Sequence, residues 1–323
     1  MKTIKPIKLT TKTPIVLFKG TTNARTEIFI KRDDLNGLLI SGNKARKLEY
    51  LIADALNKRC DSVITCGPVQ SNHCRTTVAF ARNFGLIPYL FLRGRPIKVL
   101  NGNLLIDHLL DARITYITPA DYYNKRTEIM AEYARKLIKK GKRPYIIPEG
   151  SSNEIGALGY LDCMREMADF IKKKKIDALY CAVGSGGTYA GLLLGKKILK
   201  LNIELNGVII CDTVQYFTEK ILKICEKAVY RFGMNIKITR DDINLIDGYI
   251  GSGYAIPYPK ELEVIRKVAK NGIILEPVYT GKAFYGMLQT LKKKKYKRVI
   301  FIHTGGLFSI FAFNRILFSK VSY

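Results

Sequence analysis

The chain has 323 residues, 47% of them hydrophobic, enough apolar material for one large or two medium domains, which excludes general disorder. Lys and Arg number 54 against 27 Asp and Glu, a formal net charge of +27, and this raises nucleic acid, an anionic surface or an acidic ligand as partners. The excess is spread out, and its densest runs, Lys172 to Lys175 and Lys292 to Lys295, fall at expected helix C-termini where cations suit the dipole, so a solvated face explains them better.

With no zinc-finger spacing, no ribonucleoprotein-type aromatic signature and no basic tail, no nucleic-acid partner is expected, and a nucleic-acid-binding protein stays a distant alternative. The seven cysteines form no C-x-x-C and several lie in apolar runs, which suits buried free thiols in a reducing compartment. His73, His108 and His303 are not at metal-ligand spacing, so no metal site is expected. Met1 to Pro6 lacks the apolar core of a signal peptide, and no run of ~18 apolar residues could span a bilayer. A soluble cytoplasmic protein without a membrane partner is the expectation.

Short apolar runs alternate with helical patterns, predicting an α/β protein with largely parallel sheets flanked by helices. Strands are expected at 27–31, 62–66, 88–92, 114–117, 145–147, 178–183, 205–211 and 298–302. Helices are expected at 43–58, 72–84, 101–110, 123–140, 154–174, 187–200, 214–231, 259–270, 281–294 and 305–314. So many strands favour two sheets, with Pro148 to Ser152 as the crossover: a large domain of 1–43 plus 152–323 and a small domain of 44–151.

Ligands in parallel α/β sheets sit beyond the carboxyl ends of strands, so polar residues at strand-to-helix turns are the candidates. Lys44 opens the first expected helix, with Asn43 as its N-cap and Leu48, Leu51, Ile52, Ala55 and Leu56 as its buried stripe. Lys44 should point to the core side, where burial and the helix N-terminus would lower its pKa and suit it as a nucleophilic or imine-forming amine, although lysines near helix starts more often only solvate a face. The turn Gln70-Ser71-Asn72-His73 places amides, a hydroxyl and an imidazole at a helix start that would take a carboxylate, although Ser71 or Asn72 could equally be only a cap. Gly184-Ser185-Gly186-Gly187-Thr188 is a glycine-rich turn opening a helix, neither a Walker A loop nor G-x-G-x-x-G, and it suits a single phosphate, although close helix packing alone would also explain the glycines.

Tyr279 in Pro277 to Lys282 could stack on a flat ring, act as an acid or be only a core tyrosine, Thr304 in His303 to Gly306 could bond a ring nitrogen or cap the following helix, and Tyr254 offers a second phenol in a glycine-containing loop. A phosphate turn, a buried lysine, a ring stacker and a carboxylate turn together suggest pyridoxal phosphate as cofactor.

These motifs, Ser41 to Tyr50, Gln70 to His73, Gly184 to Gly191, Pro277 to Ala283 and His303 to Gly306, resemble the D-cysteine desulfhydrase and 1-aminocyclopropane-1-carboxylate (ACC) deaminase family, from Lys31 nearly to the end. The resemblance implies the fold-type II pyridoxal-phosphate architecture, similar to the tryptophan synthase β chain, a homodimer, and β-elimination or ring-opening chemistry. It would make Lys44 the covalent cofactor anchor, Gly184 to Thr188 the phosphate site, Asn72 the partner of the ring hydroxyl and Tyr279 the ring stacker. Ser71 would bind the substrate carboxylate, with Gln70, Asn72 and His73 beside it and Tyr254 facing the substrate.

ACC deaminases of the family typically carry Glu after the tyrosine matching Tyr279 and Leu at the position of Thr304. Thr280 and Thr304 match the D-cysteine desulfhydrases, so elimination from D-cysteine is expected, with ACC or another β-substituted amino acid as the alternative. Two departures stand out: Ser41 replaces the first glycine of Gly-Gly-Asn-Lys, and Gly253-Tyr254-Ala255-Ile256-Pro257 replaces Gly-Tyr-Gly-Val-Pro.

Overall fold

The computed structural model describes residues 4–20 and 26–317. Met1 to Thr3, part of the stretch read above for a leader, lie outside the described residues. The strands are β1 (Ile15–Leu17), β2 (Glu27–Arg32), β3 (Ser62–Pro68), β4 (Ile87–Arg93), β5 (Arg113–Ile117), β6 (Pro144–Ile146), β7 (Ala178–Val183), β8 (Glu204–Ile209), β9 (Asn244–Ile246) and β10 (Arg298–His303). The helices are α1 (Gly42–Asn57), α2 (Asn72–Asn83), α3 (Gly102–Leu109), α4 (Pro119–Lys139), α5 (Glu154–Lys174), α6 (Gly187–Ile198), α7 (Val214–Phe232), α8 (Pro259–Ala269), α9 (Thr280–Leu291), α10 (Leu307–Ile310) and α11 (Asn314–Leu317).

Two sheets form. One has the order β1-β2-β10-β7-β8-β9 and the other β5-β4-β3-β6. Every pairing is parallel except that of β1 with β2. The six residues of β7 are all buried, because helices cover both faces of the sheet. Leu179, Cys181 and Val183 join one apolar cluster, while Ala178, Tyr180 and Ala182 join the other, as strand alternation requires.

The expected α/β class with mostly parallel, helix-flanked sheets is therefore what forms. Two short edge strands, β1 and β9, were not among the expected elements. The helix expected at 305–314 is instead two short ones, α10 and α11: Gly305 and Gly306 take φ of 87° and 110°, outside helical space, so the backbone turns helical only at Leu307. The expected cap at Asn43 is also corrected. Gly42 already belongs to α1, and the extended Ser41 flanks it. The seven cysteines are free thiols. Among the described residues no helix is long and apolar enough to cross a membrane.

Candidate active site

The carboxyl ends of β3, β7 and β10 and the start of α1 converge on one cleft. Its lining includes Asn43, Lys44, Ser71, Asn72, His73, Glu149, Gly184 to Gly186, Thr188, Tyr279 and Thr304. Past Tyr254 and Tyr279 it opens into a chamber of about 500 Å³ that also receives Arg93 and Arg126.

The start of α1 is held against β10 by backbone alone. Asn43 N donates to Thr304 O at 3.0 Å. Gly42 makes this approach possible: its φ is +76°, and a Cβ there would meet Thr304 O at 2.5 Å. Asn43, freed from capping, donates its side-chain amide to Thr188 Oγ1 at 3.0 Å, joining the lysine's helix to the glycine-rich turn. Thr304 does not cap α10, whose flanking residue is Gly306, so its side chain is left to the cleft.

Lys44 has no hydrogen-bond or ion-pair partner among the described residues, and its Nζ stands 5.9 Å from the centre of the Tyr279 ring. Burial lowers its pKa to about 8, against the opposing pull of Glu149 and Glu276. Gly184 packs against that ring, because a Cβ on it would come within 2.8 Å of Tyr279 Cε1. The hydroxyls of Tyr279 and Tyr254 lie 2.5 Å apart.

Ser71 does cap α2, accepting from Cys74 N at 3.1 Å, and it also lines the cleft, so capping does not remove it from the site. Asn72 lines the cleft beside it. His73 is buried, with Nε2 2.7 Å from Thr65 Oγ1 and Nδ1 3.1 Å from Ser151 Oγ; burial, reinforced by Lys44 and Lys47, holds it neutral. Gln70 is turned away from the cleft, its amide spent on Asn101 and Asn103.

A model of the pyridoxal-phosphate dependent enzyme family matches residues 8–305. The chain belongs to that family. It is 45% identical, over 90% of its length and 92% of the relative's, to a Thermotoga maritima protein named "Putative 1-aminocyclopropane-1-carboxylate deaminase". It is 37% identical, over 88% of its length and 74% of the relative's, to the bifunctional D-cysteine desulfhydrase/1-aminocyclopropane-1-carboxylate deaminase of Arabidopsis thaliana. The crystal structure of an ACC deaminase homologue superposes with a TM-score of 0.89 at 37% identity, covering 98% of this chain and 96% of that one. The fold is accordingly that of the fold-type II pyridoxal-phosphate enzymes.

The cleft of this enzyme fits the family's cofactor. A free amine, a tyrosine ring beside it and the N-terminus of the 12-residue α6 surround one space, and the first N–H groups of a helix have no partner within it. Gly187 N is already satisfied by Ser152 Oγ at 3.2 Å, and Ser152 Oγ also lies 2.8 Å from Ser185 Oγ. Behind Ser152 is the fully buried Lys47, whose Nζ donates to Gly150 O at 3.0 Å and lies 3.4 Å from Ser152 Oγ.

Sequence reasoning passed over Lys47 and Glu149. The signal for Lys47 was its spacing of one helical turn from Lys44, and that for Glu149 its place just past a strand end. Glu149 accepts from Tyr122 OH at 2.5 Å and pairs with Arg126 at 3.5 Å. Among the described residues no group of three or more His, Cys, Asp and Glu is placed to hold a metal ion.

The two departures from the family pattern differ physically. Ser41 has φ −142°, extended backbone that any residue adopts, so a glycine is not required there. Ala255 has φ +59°, a left-handed conformation that favours glycine, one residue after Tyr254.

Proposed function

We propose that the enzyme is a D-cysteine desulfhydrase, converting D-cysteine and water to pyruvate, hydrogen sulfide and ammonia. The observation that carries this reading is that the cleft position directly after β10 holds Thr304, while the Glu149 carboxylate that also lines the cleft is held by Tyr122 and Arg126. Thr280 is buried away from the cleft, its Oγ1 accepting from Glu276 N at 2.8 Å. Glu276, its pKa raised by burial to about 7, spends its carboxylate on the N–H groups of Val278, Tyr279 and Thr280. A ring nitrogen facing a hydroxyl draws electrons less strongly than one facing an acid, which suits loss of a thiolate better than opening of a carbon ring.

Pyridoxal phosphate supplies the electron sink for the pair left at the substrate's α-carbon. Lys44 would anchor that group, and its amine would accept the substrate's α-proton. A pKa near 8 leaves part of this amine neutral at neutral pH. The turn from Gly184 to Thr188 would hold the phosphate at the α6 N-terminus, with Lys47 behind it, and Tyr279 would orient the ring. The N-terminus of the 12-residue α2, with Ser71 and the Asn72 main chain, would receive the substrate carboxylate, and the Asn72 side chain would face the ring oxygen of the cofactor. The paired hydroxyls of Tyr254 and Tyr279 give the departing thiolate its proton.

The free cysteines support a reducing compartment, the cytoplasm. Exposed apolar side chains on α3, α10 and nearby loops, among them Val99, Leu105, Leu109, Leu307 and Phe311, support a homodimer, since α10 packs on α3 and these side chains stay exposed among the described residues. Light scattering should give the mass of two chains.

The deciding assay compares pyruvate release from D-cysteine with 2-oxobutyrate release from ACC. Faster turnover of D-cysteine is expected. A preference for ACC would overturn the argument from Thr304 and Thr280.

A further inference from the structure

Asn72 carries a carboxamide, which can present either a donor or an acceptor to the cleft, and the two choices have opposite consequences for an oxygen on a bound ring. A chain of contacts behind it settles which one faces inward. Arg75, one helical turn along α2, is buried to 1% exposure, with its guanidinium 4.9 Å from the Phe308 ring and one nitrogen donating to Leu39 O. Its Nε donates to Asn103 Oδ1 at 3.2 Å. A guanidinium has donors only, so the Asn103 oxygen has to face it.

The Asn103 nitrogen is fixed independently. It donates to the main-chain oxygen of Gln70 at 3.0 Å and to Asn72 Oδ1 at 2.8 Å. Turning the Asn103 amide over would set donor against donor at Arg75 and oxygen against oxygen at Gln70. Asn103 N is in turn pinned by Gln70 Oε1 at 2.9 Å. With its oxygen committed to Asn103, Asn72 has only its Nδ2 donor left, and that nitrogen has no partner among the described residues.

We propose that Arg75 and Asn103 are positioning residues that lock Asn72 as a hydrogen-bond donor toward the ring oxygen of the cofactor. The proposal rests on the cofactor placement given above. Its consequence is that the ring oxygen is bound in its ionised form, because a donor held in place favours the charged acceptor and an acceptor there would repel it. The pair touches neither cofactor nor substrate, so its effect passes wholly through the orientation of Asn72.

The test uses apo-protein titrated with two compounds, pyridoxal phosphate and its analogue lacking the ring hydroxyl, followed by absorbance. In Asn103→Asp both side-chain oxygens accept, Asn72 turns its nitrogen outward, and affinity for pyridoxal phosphate should fall about 10- to 100-fold, the worth of a hydrogen bond to a charged group. Affinity for the analogue should change less than about threefold, since no oxygen is there to read the orientation. Asn103→Leu, which keeps the volume and releases Asn72, should show the same selective loss at smaller size and carries the test if the Asp variant does not fold. An equal loss for both compounds, meaning general damage, or no loss for either, overturns the proposal. A parent chain that binds neither compound would overturn the cofactor placement itself, and the proposal with it.

Discussion

Tyr254 and Tyr279 face each other hydroxyl to hydroxyl at 2.5 Å, with their rings nearly edge to face at 73°, at the junction of the inner cleft and the outer chamber. Burial pushes both phenols above their ordinary value, so at neutral pH each is a proton donor rather than a phenolate. A thiolate leaving group gains from such a donor, whereas chloride does not need one. Tyr254→Phe should therefore lower kcat/KM for D-cysteine by about 10²- to 10⁴-fold. For β-chloro-D-alanine the loss should stay under about tenfold. Parallel steady-state assays with the two substrates check it; equal losses would assign Tyr254 to binding instead of proton transfer.

Lys44 gives a pH dependence whose sign is set by its surroundings. Burial lowers the amine to about 8 and the nearby Glu149 works against that shift, so removing the carboxylate should lower the value further. Uptake of pyridoxal phosphate by the apo-protein should accelerate as pH rises through about 8, and Glu149→Gln should move the midpoint to lower pH. Stopped-flow absorbance across pH 6 to 10 reads both midpoints. A midpoint unmoved or raised in the variant would show that Glu149 does not act on the amine.

Much of this arrangement was legible because the turns that carry it are local. The strand at 178–183 coincides with β7 residue for residue, since a strand buried on both faces writes an unbroken apolar run, and the glycine turn follows directly. β1 and β9 left no such trace: each is three residues long and lies at a sheet edge, formed by what it pairs with. Asn43 read as a cap because its type and place fit one, and only the left-handed Gly42 against β10 sends its amide to Thr188 instead. Glu149, Lys47 and Asn103 acquire their meaning from residues far away in sequence, and one chain alone does not record those meetings.

Ala255 is the place where a local rule is broken beside the site. An alanine at φ +59° bears the steric cost of the left-handed region, which glycine would not. Ala255→Gly should raise unfolding free energy by about 0.5–1 kcal/mol, the relief of strain being partly offset by the greater freedom of glycine in the unfolded chain. Urea unfolding of the apo-protein measures it. A destabilised variant would mean that the alanine methyl contributes packing worth more than the strain.

Beneath the cleft, Asp33 and Arg46 form a two-pronged pair, Nε to Oδ2 at 2.9 Å and Nη2 to Oδ1 at 2.8 Å, both side chains almost fully buried. Arg46 also meets Glu166 on α5 at 2.8 Å, Lys31 on β2 meets the same glutamate at 3.0 Å, and Tyr160 OH donates to Asp33 at 2.7 Å. Since Arg46 lies two residues from Lys44, this network fixes where α1 presents its amine. Burial alone would raise the Asp33 carboxyl, but Arg46 and Lys31 hold it below its ordinary value. A depressed carboxyl contributes stability that is present above about pH 4 and lost as pH falls through the folded value. Asp33→Asn leaves Arg46 with less countercharge in a buried place, so it should cost about 3–5 kcal/mol at pH 7. The same substitution should cost less at pH 3, below the ordinary carboxyl value, where the unfolded parent takes up a proton that the folded Asp33 resists. Urea titrations of both chains at the two pH values decide it: a cost independent of pH would mean that shape, not charge, is what Asp33 supplies under Lys44.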